Sequence, residues 1–275
     1  MHFWPAAKPE SGWTQTIPGV PRMMSANPEE PTAAVLLIGD EILSGRTQDT
    51  NLATIARFLG SYGIDVCEAR VVRDAEAEIV AALNALRARY TYVFTTGGIG
   101  PTHDDITTDA VGRAFGLPVD FAAEALALLE PRYKPGEFND MRRRMARMPA
   151  GGSLIRNSVS TAPGFQIENV FVLAGIPLIM RAMLEDVGPR LRTGLPVRVA
   201  TIAAQVGEGR IAAELARIQR EHLPVSIGSY PMFSGTGPVV HLVVRGRDGE
   251  EVERAASAIE ESLAHGGITS SRVAD

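Results

Sequence analysis

The chain has 275 residues, a net charge of −5, 45% hydrophobic residues and a single cysteine. The negative balance argues against a general nucleic-acid or anionic-membrane partner. No apolar run approaches the ~20 residues that span a bilayer. One cysteine cannot form an internal disulfide, which points to a cytoplasmic protein. Cys67, inside Ile64-Asp65-Val66-Cys67, reads as a small buried hydrophobe.

Residues 1–31 read as a disordered extension. Pro5, Pro9, Pro18, Pro21, Pro28 and Pro31 interrupt any helix or strand there, and both tryptophans, Trp4 and Trp13, lie in it. No apolar run follows a basic start, so no secretory signal is expected. A start at Met24 would remove most of the extension; a tail docking its tryptophans on a partner subunit is the alternative. From residue 33 strands and helices alternate. Residues 33–38 are apolar without alternation, as in a strand buried on both faces of a parallel sheet. A polar loop from Gly39 follows, then a helix from residue 51 whose start Asp49 or Thr50 can cap. A strand over 66–72, a helix over 75–90 and a strand over 92–95 come next. The helix after the third strand ends at Gly116. Helices are expected over 121–133 and, rich in arginine, over 138–148. A strand at 170–173 and a helix at 177–191 close this unit. The alternation predicts a doubly wound, mostly parallel α/β sheet over 32–193, with ligands at the carboxyl ends of its strands. Beyond the linker 193–196 the order β-α-β-β-α predicts a small α+β domain over 195–267, with an uncharged mobile loop over 229–235.

Two loops carry the chemistry. Gly97-Gly98-Ile99-Gly100-Pro101-Thr102-His103-Asp104-Asp105-Ile106-Thr107 joins strand to helix. Glycines let the backbone approach a ligand, and a helix N-terminus suits phosphate. Asp104, Asp105 and Asp109 suit a hard divalent cation such as Mg²⁺, while Asp109 also reads as ordinary charge placement and Thr107 as an N-cap. The loop Gly39-Asp40-Glu41-Ile42-Leu43-Ser44-Gly45, with Asp49, Thr50 and Asn51 at its end, reaches the same sheet edge. His103 reads as a solvated loop histidine, and Arg142, Arg143, Arg144, Arg147 and Arg156 as either a phosphate clamp or a solvated basic face. No zinc spacing, P-loop or nucleophile elbow is present; Ser158 and Ser160 lack its surroundings.

These residues resemble a known family. Gly39-Asp40-Glu41-Ile42-Leu43-x-Gly45-x3-Asp49-Thr50-Asn51, the Gly97–Thr107 run and Thr161-Ala162-Pro163-Gly164-Phe165 are similar to the N-terminal domain of CinA proteins, in the MoaB/Mog-like molybdopterin-binding superfamily. The match runs over about 33–191, and the segment after Gly194 resembles the KH-like domain that follows in CinA proteins. The resemblance implies a metal-dependent pyrophosphatase that splits a nucleotide diphosphate of ADP-ribose or FAD type with Mg²⁺, Mn²⁺ or Co²⁺; the alternative is a molybdopterin binder without hydrolysis. Asp105 and Asp104 would be catalytic, and Asp104, Asp105 and Glu41 would hold the metal. Gly39, Asp40, Glu41, Gly45, Asp49, Asn51, Gly97, Gly98, Gly100, Thr102, Thr107, Pro163 and Gly164 would contact the substrate. A homo-oligomer is expected on the same ground, and the deamidase domain of full-length CinA proteins is not expected here. An RNA role for the KH-like unit is disfavoured: from Leu195 it has eight arginines, no lysines and ten acidic residues, and no Gly-x-x-Gly loop between helices. Two departures stand out. Ser160 replaces a glycine, and Ile179 replaces a glutamate in the run from Ala174 to Met180.

Overall fold

A computed structural model describes residues 30–234 and 237–273. The extension expected over 1–31 lies outside them apart from its last two residues. These are placed: Pro31 is buried and Glu30 pairs with Arg247 at 2.6 Å.

The first unit opens with β1 (Thr32–Ile38), α1 (Asp40–Leu43), α2 (Asn51–Ser61), β2 (Asp65–Val72), α3 (Glu76–Arg87), β3 (Tyr92–Thr96) and α4 (Thr107–Phe115). It continues through β4 (Val119–Phe121), α5 (Ala123–Leu129), α6 (Asp140–Arg143), β5 (Arg147–Pro149), β6 (Ser153–Ile155), β7 (Gly164–Ile167), β8 (Val170–Leu173) and α7 (Pro177–Val187). Six strands form one sheet in the order β2-β1-β3-β8-β7-β6. β2, β1, β3 and β8 run parallel, and β7 and β6 add an antiparallel edge. This is the expected mostly parallel α/β architecture. Ala33 to Ile38 are buried because the sheet is covered on both faces. Leu36, Ile79, Leu83, Val93 and Val111 pack on one side. Val35, Ile55, Leu59, Phe94, Phe171 and Met183 pack on the other, where Phe94 and Phe171 stack 4.9 Å apart. Each such side chain contributes about 1.5–3 kcal/mol when fully buried.

Three local expectations are corrected. The arginine-rich helix over 138–148 is a single turn, α6, capped by Asn139 Oδ1, which accepts the Arg142 N–H at 3.0 Å. The chain then tightens and enters β5, because its residues pair with β4 rather than continuing a helix. Cys67 is exposed rather than buried: β2 is an edge strand, so it alternates instead of being covered on both faces. Residues 229–234 extend a strand, not a mobile loop.

The second unit contains β9 (Arg198–Ala204), α8 (Glu208–Glu221), β10 (Ser226–Ser234), β11 (Gly237–Gly246), α9 (Gly249–His265) and β12 (Ser270–Val273). Its antiparallel sheet has the order β10-β11-β9-β12. The α+β expectation holds. The KH-like expectation finds no support, because β12 completes a β-α-β-β-α-β order of ferredoxin-like type. Ile202, Leu242, Val244, Ile218, Ala255 and Ile259 form its own core. No helix among the described residues is long and apolar enough to cross a membrane.

Candidate functional site

Parallel strands end on one side, so the loops after β1, β2, β3 and β8 share the sheet's carboxyl edge. The loop after β3 is held from within. Gly97 and Gly98 adopt φ values of +103° and +67°, where a side chain is strained, and a Cβ on either would overlap the Ile38 carbonyl or the Thr107 hydroxyl. Thr107 is fully buried; its hydroxyl donates to the Gly97 carbonyl at 2.9 Å and its N–H to the Gly98 carbonyl at 3.0 Å. The Asp105 carboxylate turns back into the loop and accepts the Thr102 N–H at 2.7 Å and the Thr102 hydroxyl at 2.5 Å. It lies over Gly100, where a Cβ would come within 2.7 Å of it. The N–H groups of Gly98, Ile99 and Gly100 take no acceptor among the described residues. Successive free N–H groups beside left-handed residues form an anion-binding nest.

The loop after β1 is tied to this cradle. Asp49 accepts the N–H groups of Asn51 at 3.1 Å and Leu52 at 3.0 Å, which is the capping role its sequence position allowed. Asn51 is buried and donates its side-chain amide to the Gly175 carbonyl at 2.8 Å, while its Oδ1 has no partner. Gly175 lies against Gly97: a Cβ on it would sit 3.3 Å from the Gly97 Cα. Asn51, Gly175 and Gly97 therefore lock three loops together.

The loop after β2 adds a residue that sequence reasoning missed. Asp74 Oδ2 accepts the Asp40 N–H at 2.9 Å, and Arg73 donates to Asp40 Oδ1 at 3.1 Å. Burial pushes the Asp74 carboxyl above its ordinary range, and the nearby charges of Glu41, Asp40 and Asp104 push it further. The sign that could have found it is its position, just past a parallel strand at the same edge as both polar loops.

The structure does not gather the expected metal set Asp104, Asp105 and Glu41. Among the described residues no three His, Cys, Asp or Glu side chains are placed to hold a metal ion. The reason is local: Asp105 is committed to Thr102, and Glu41 and Asp104 are exposed on separate loops. His103 is solvated as expected, with its side chain 94% exposed and 3.9 Å from Asp104. Gly39 is buried, and its N–H bonds to the Val72 carbonyl. Gly45 takes φ +72° in an exposed turn. Pro163 and Gly164 are buried where β7 begins beside the end of β8. Gly164 is required there by packing, since a Cβ would overlap the Val172 carbonyl. Ser160 donates its N–H and hydroxyl to Asn157 Oδ1 in the preceding turn. Ile179 packs against the core on one face of the sheet, so position 179 brings no carboxylate to the site.

Two arginines that lie between α6 and β5, or at the start of β5, reach the cradle. Arg144 Nη2 donates to the Asp105 carbonyl at 3.3 Å. Arg147 forks onto Asp109 in the first turn of α4, at 3.1 and 2.5 Å, and neutralises its charge.

Comparison with known proteins places this arrangement. A family described as probable molybdopterin binding domain matches residues 34–193. A CinA-like protein of Geobacter sp. is 36% identical over 242 residues, which is 84% of this chain and 58% of that protein. The chain belongs to the CinA-like family of probable molybdopterin-binding domains. A protein of Caldivirga maquilingensis is 37% identical over 71% of this chain and 78% of its own length. The solved structure of CinA from Thermoplasma acidophilum, of unknown function, superposes with a TM-score of 0.56 at 33% identity, covering 58% of this chain and 98% of that one. Residues 196–272 match a family described as FAD synthase, middle domain. This CinA-like chain thus pairs a unit that matches the probable molybdopterin binding domain with a second that matches the FAD synthase middle domain. Against the Geobacter relative it spans 58% of the length.

Proposed function

We propose that this chain binds a nucleotide diphosphate of ADP-ribose or FAD type at the carboxyl edge of its first sheet and hydrolyses the diphosphate linkage. The observation that carries the reading is the pairing of an N–H nest, Gly98 to Gly100, with carboxylates from three loops, Asp40, Glu41, Asp74 and Asp104. The nest and the start of α4 receive one phosphate. Asp104 is exposed, and the hydrogen bond from the Thr102 side chain holds its carboxyl below the ordinary range, so it is the charged carboxylate available to orient a water on phosphorus. Asp105 is a positioning residue that shapes the loop around Thr102. The side chains among the described residues do not fit a resident metal; Mg²⁺, Mn²⁺ or Co²⁺ arrives with the diphosphate, as part of the substrate. The match of the second unit to the FAD synthase middle domain supports a nucleotide ligand. The test is release of AMP from ADP-ribose or FAD with each cation in turn, lost in Asp104→Ala. Absence of AMP under every condition rejects the reaction.

A second reading, pterin binding without hydrolysis, is favoured by the same commitment of Asp105 to loop shape and by the family description. A pterin retained through purification, with no nucleotide turnover, would establish it.

A further inference from the structure

We propose that Arg144 is the phosphate-selecting residue of this site, a guanidinium that grips the ligand's phosphate beside the glycine cradle. The inference rests on the reading that the cradle takes a phosphorylated ligand. The stretch from 142 to 147 holds four arginines, and three are already engaged by an anion or a ring. Arg142 lies 3.8 Å from the Glu137 carboxylate, Arg143 sits 5.5 Å from the Phe121 ring centroid, and Arg147 forks onto Asp109. Arg144 differs. It is half-buried, and its one partner among the described residues is a neutral carbonyl, that of Asp105, within the cradle loop.

A partly desolvated cation without an anion calls for one, and one N–H bond leaves most of the guanidinium fork free. Phosphate oxygens match that fork, which an ammonium group cannot. The neighbouring charges leave room for such an anion. Arg147 cancels Asp109, the acidic residue in the first turn of α4. Asp105 spends its carboxylate on the Thr102 N–H and hydroxyl. What faces a ligand at this end of the cradle is the nest and Arg144, whereas the carboxylates of Asp40, Glu41 and Asp74 lie on the loops after β1 and β2, and Asp104 of the cradle loop acts electrostatically on Asp74. The site is therefore polarised, with an anion-accepting end and an acidic end.

The experiment is calorimetric titration of the whole chain with adenosine, AMP and ADP, for the unsubstituted protein, Arg144→Gln and Arg144→Lys, with thermal midpoints measured alongside. Loss of a charge-assisted pair predicts about tenfold weaker ADP binding in Arg144→Gln and an unchanged adenosine affinity. Arg144→Lys, which keeps the charge and the reach to the Asp105 carbonyl but loses the fork, is expected to fall between, and it alone decides if Arg144→Gln does not fold: ADP weakened relative to adenosine supports the assignment, equal effects on both overturn it. ADP binding by Arg144→Gln as tight as that of the unsubstituted protein overturns it while leaving the proposed function intact. Equal weakening of adenosine and ADP reduces Arg144 to a prop for the loop and also overturns it. No ADP binding by the unsubstituted protein overturns both this inference and the reading on which it rests.

Discussion

The side-chain amide of Asn51 donates to the Gly175 carbonyl at 2.8 Å, across 124 residues of sequence. This bond joins the loop after β1 to the loop after β8, and Gly175 in turn backs onto Gly97 of the cradle. Asn51→Ala removes the donor that a buried side chain offers to the Gly175 carbonyl. A loss of about 1–2 kcal/mol in denaturant unfolding is expected, together with weaker nucleotide binding because three loops lose their common tie. Unchanged stability would show that the bond contributes nothing.

Thr107 tests the cradle itself. Its hydroxyl holds the Gly97 carbonyl from a fully buried position. Thr107→Val keeps the shape and removes the donor, at a cost of about 1–3 kcal/mol. Thr107→Ser keeps the donor and should keep ligand affinity, which Thr107→Val should lower. Equal affinities in the two variants, measured by titration, would detach the hydroxyl from the shape of the loop.

Tyr90 and Glu68 give a pH prediction. Burial, then the Glu68 carboxylate that accepts the Tyr90 hydroxyl at 2.7 Å, push the Tyr90 phenol up to about 12. The folded state favours the neutral phenol. Its stabilising contribution is therefore complete below an ordinary tyrosine's pKa of ~10 and is lost as pH rises toward about 12. Glu68 shifts the other way: the Tyr90 hydroxyl, then Arg70, hold it below its usual range, so its contribution is present above that range and fades as pH falls through the lowered value. Urea midpoints followed against pH should show an alkaline fall that is absent in Tyr90→Phe.

Arg247 is expected to fix the second unit against the first. Its guanidinium pairs with Glu30 at 2.6 Å and Asp65 at 2.8 Å, and donates to the carbonyls of Gly63 and Leu195. With the side chain 18% exposed, this is a partly buried set of charge-assisted bonds. Arg247→Ala should lower stability by about 2 kcal/mol and speed proteolysis in the linker around 193–196. An unchanged cleavage rate would mean that the rest of the contact holds the units without it.

Much of this was legible from residues alone. β1 announced itself by an apolar run without alternation, and it is buried on both faces of the sheet. The cradle announced itself by three glycines before a helix start, and Gly97 and Gly98 do take the left-handed conformations that glycine permits. Asp74 escaped notice because it lies in no motif; only strand order places the loop after β2 next to the loop after β1. Cys67 was misjudged for the same reason, since nothing local shows that β2 lies at the sheet's edge. The expected metal set Asp104, Asp105 and Glu41 does not gather among the described residues, because Asp105 is held by Thr102 and Glu41 lies on a different loop.

What the amino-acid order determined by itself is the set of local preferences: where strands and helices start, which loops carry glycine and charge, and the motifs that mark the family. These follow from steric and periodic rules that act within a few residues. What tertiary structure alone decided is which loops meet, which carboxylates are spent on structure and which cation stays unpaired. Asp109 and Arg144 take their roles from partners 38 and 39 residues away, Arg147 and the Asp105 carbonyl, whereas Asp105 is turned inward by Thr102, three residues before it. The two-ended polarity proposed for the cradle exists only once the chain has folded, because Arg144 and Asp74 reach it from distant parts of the sequence.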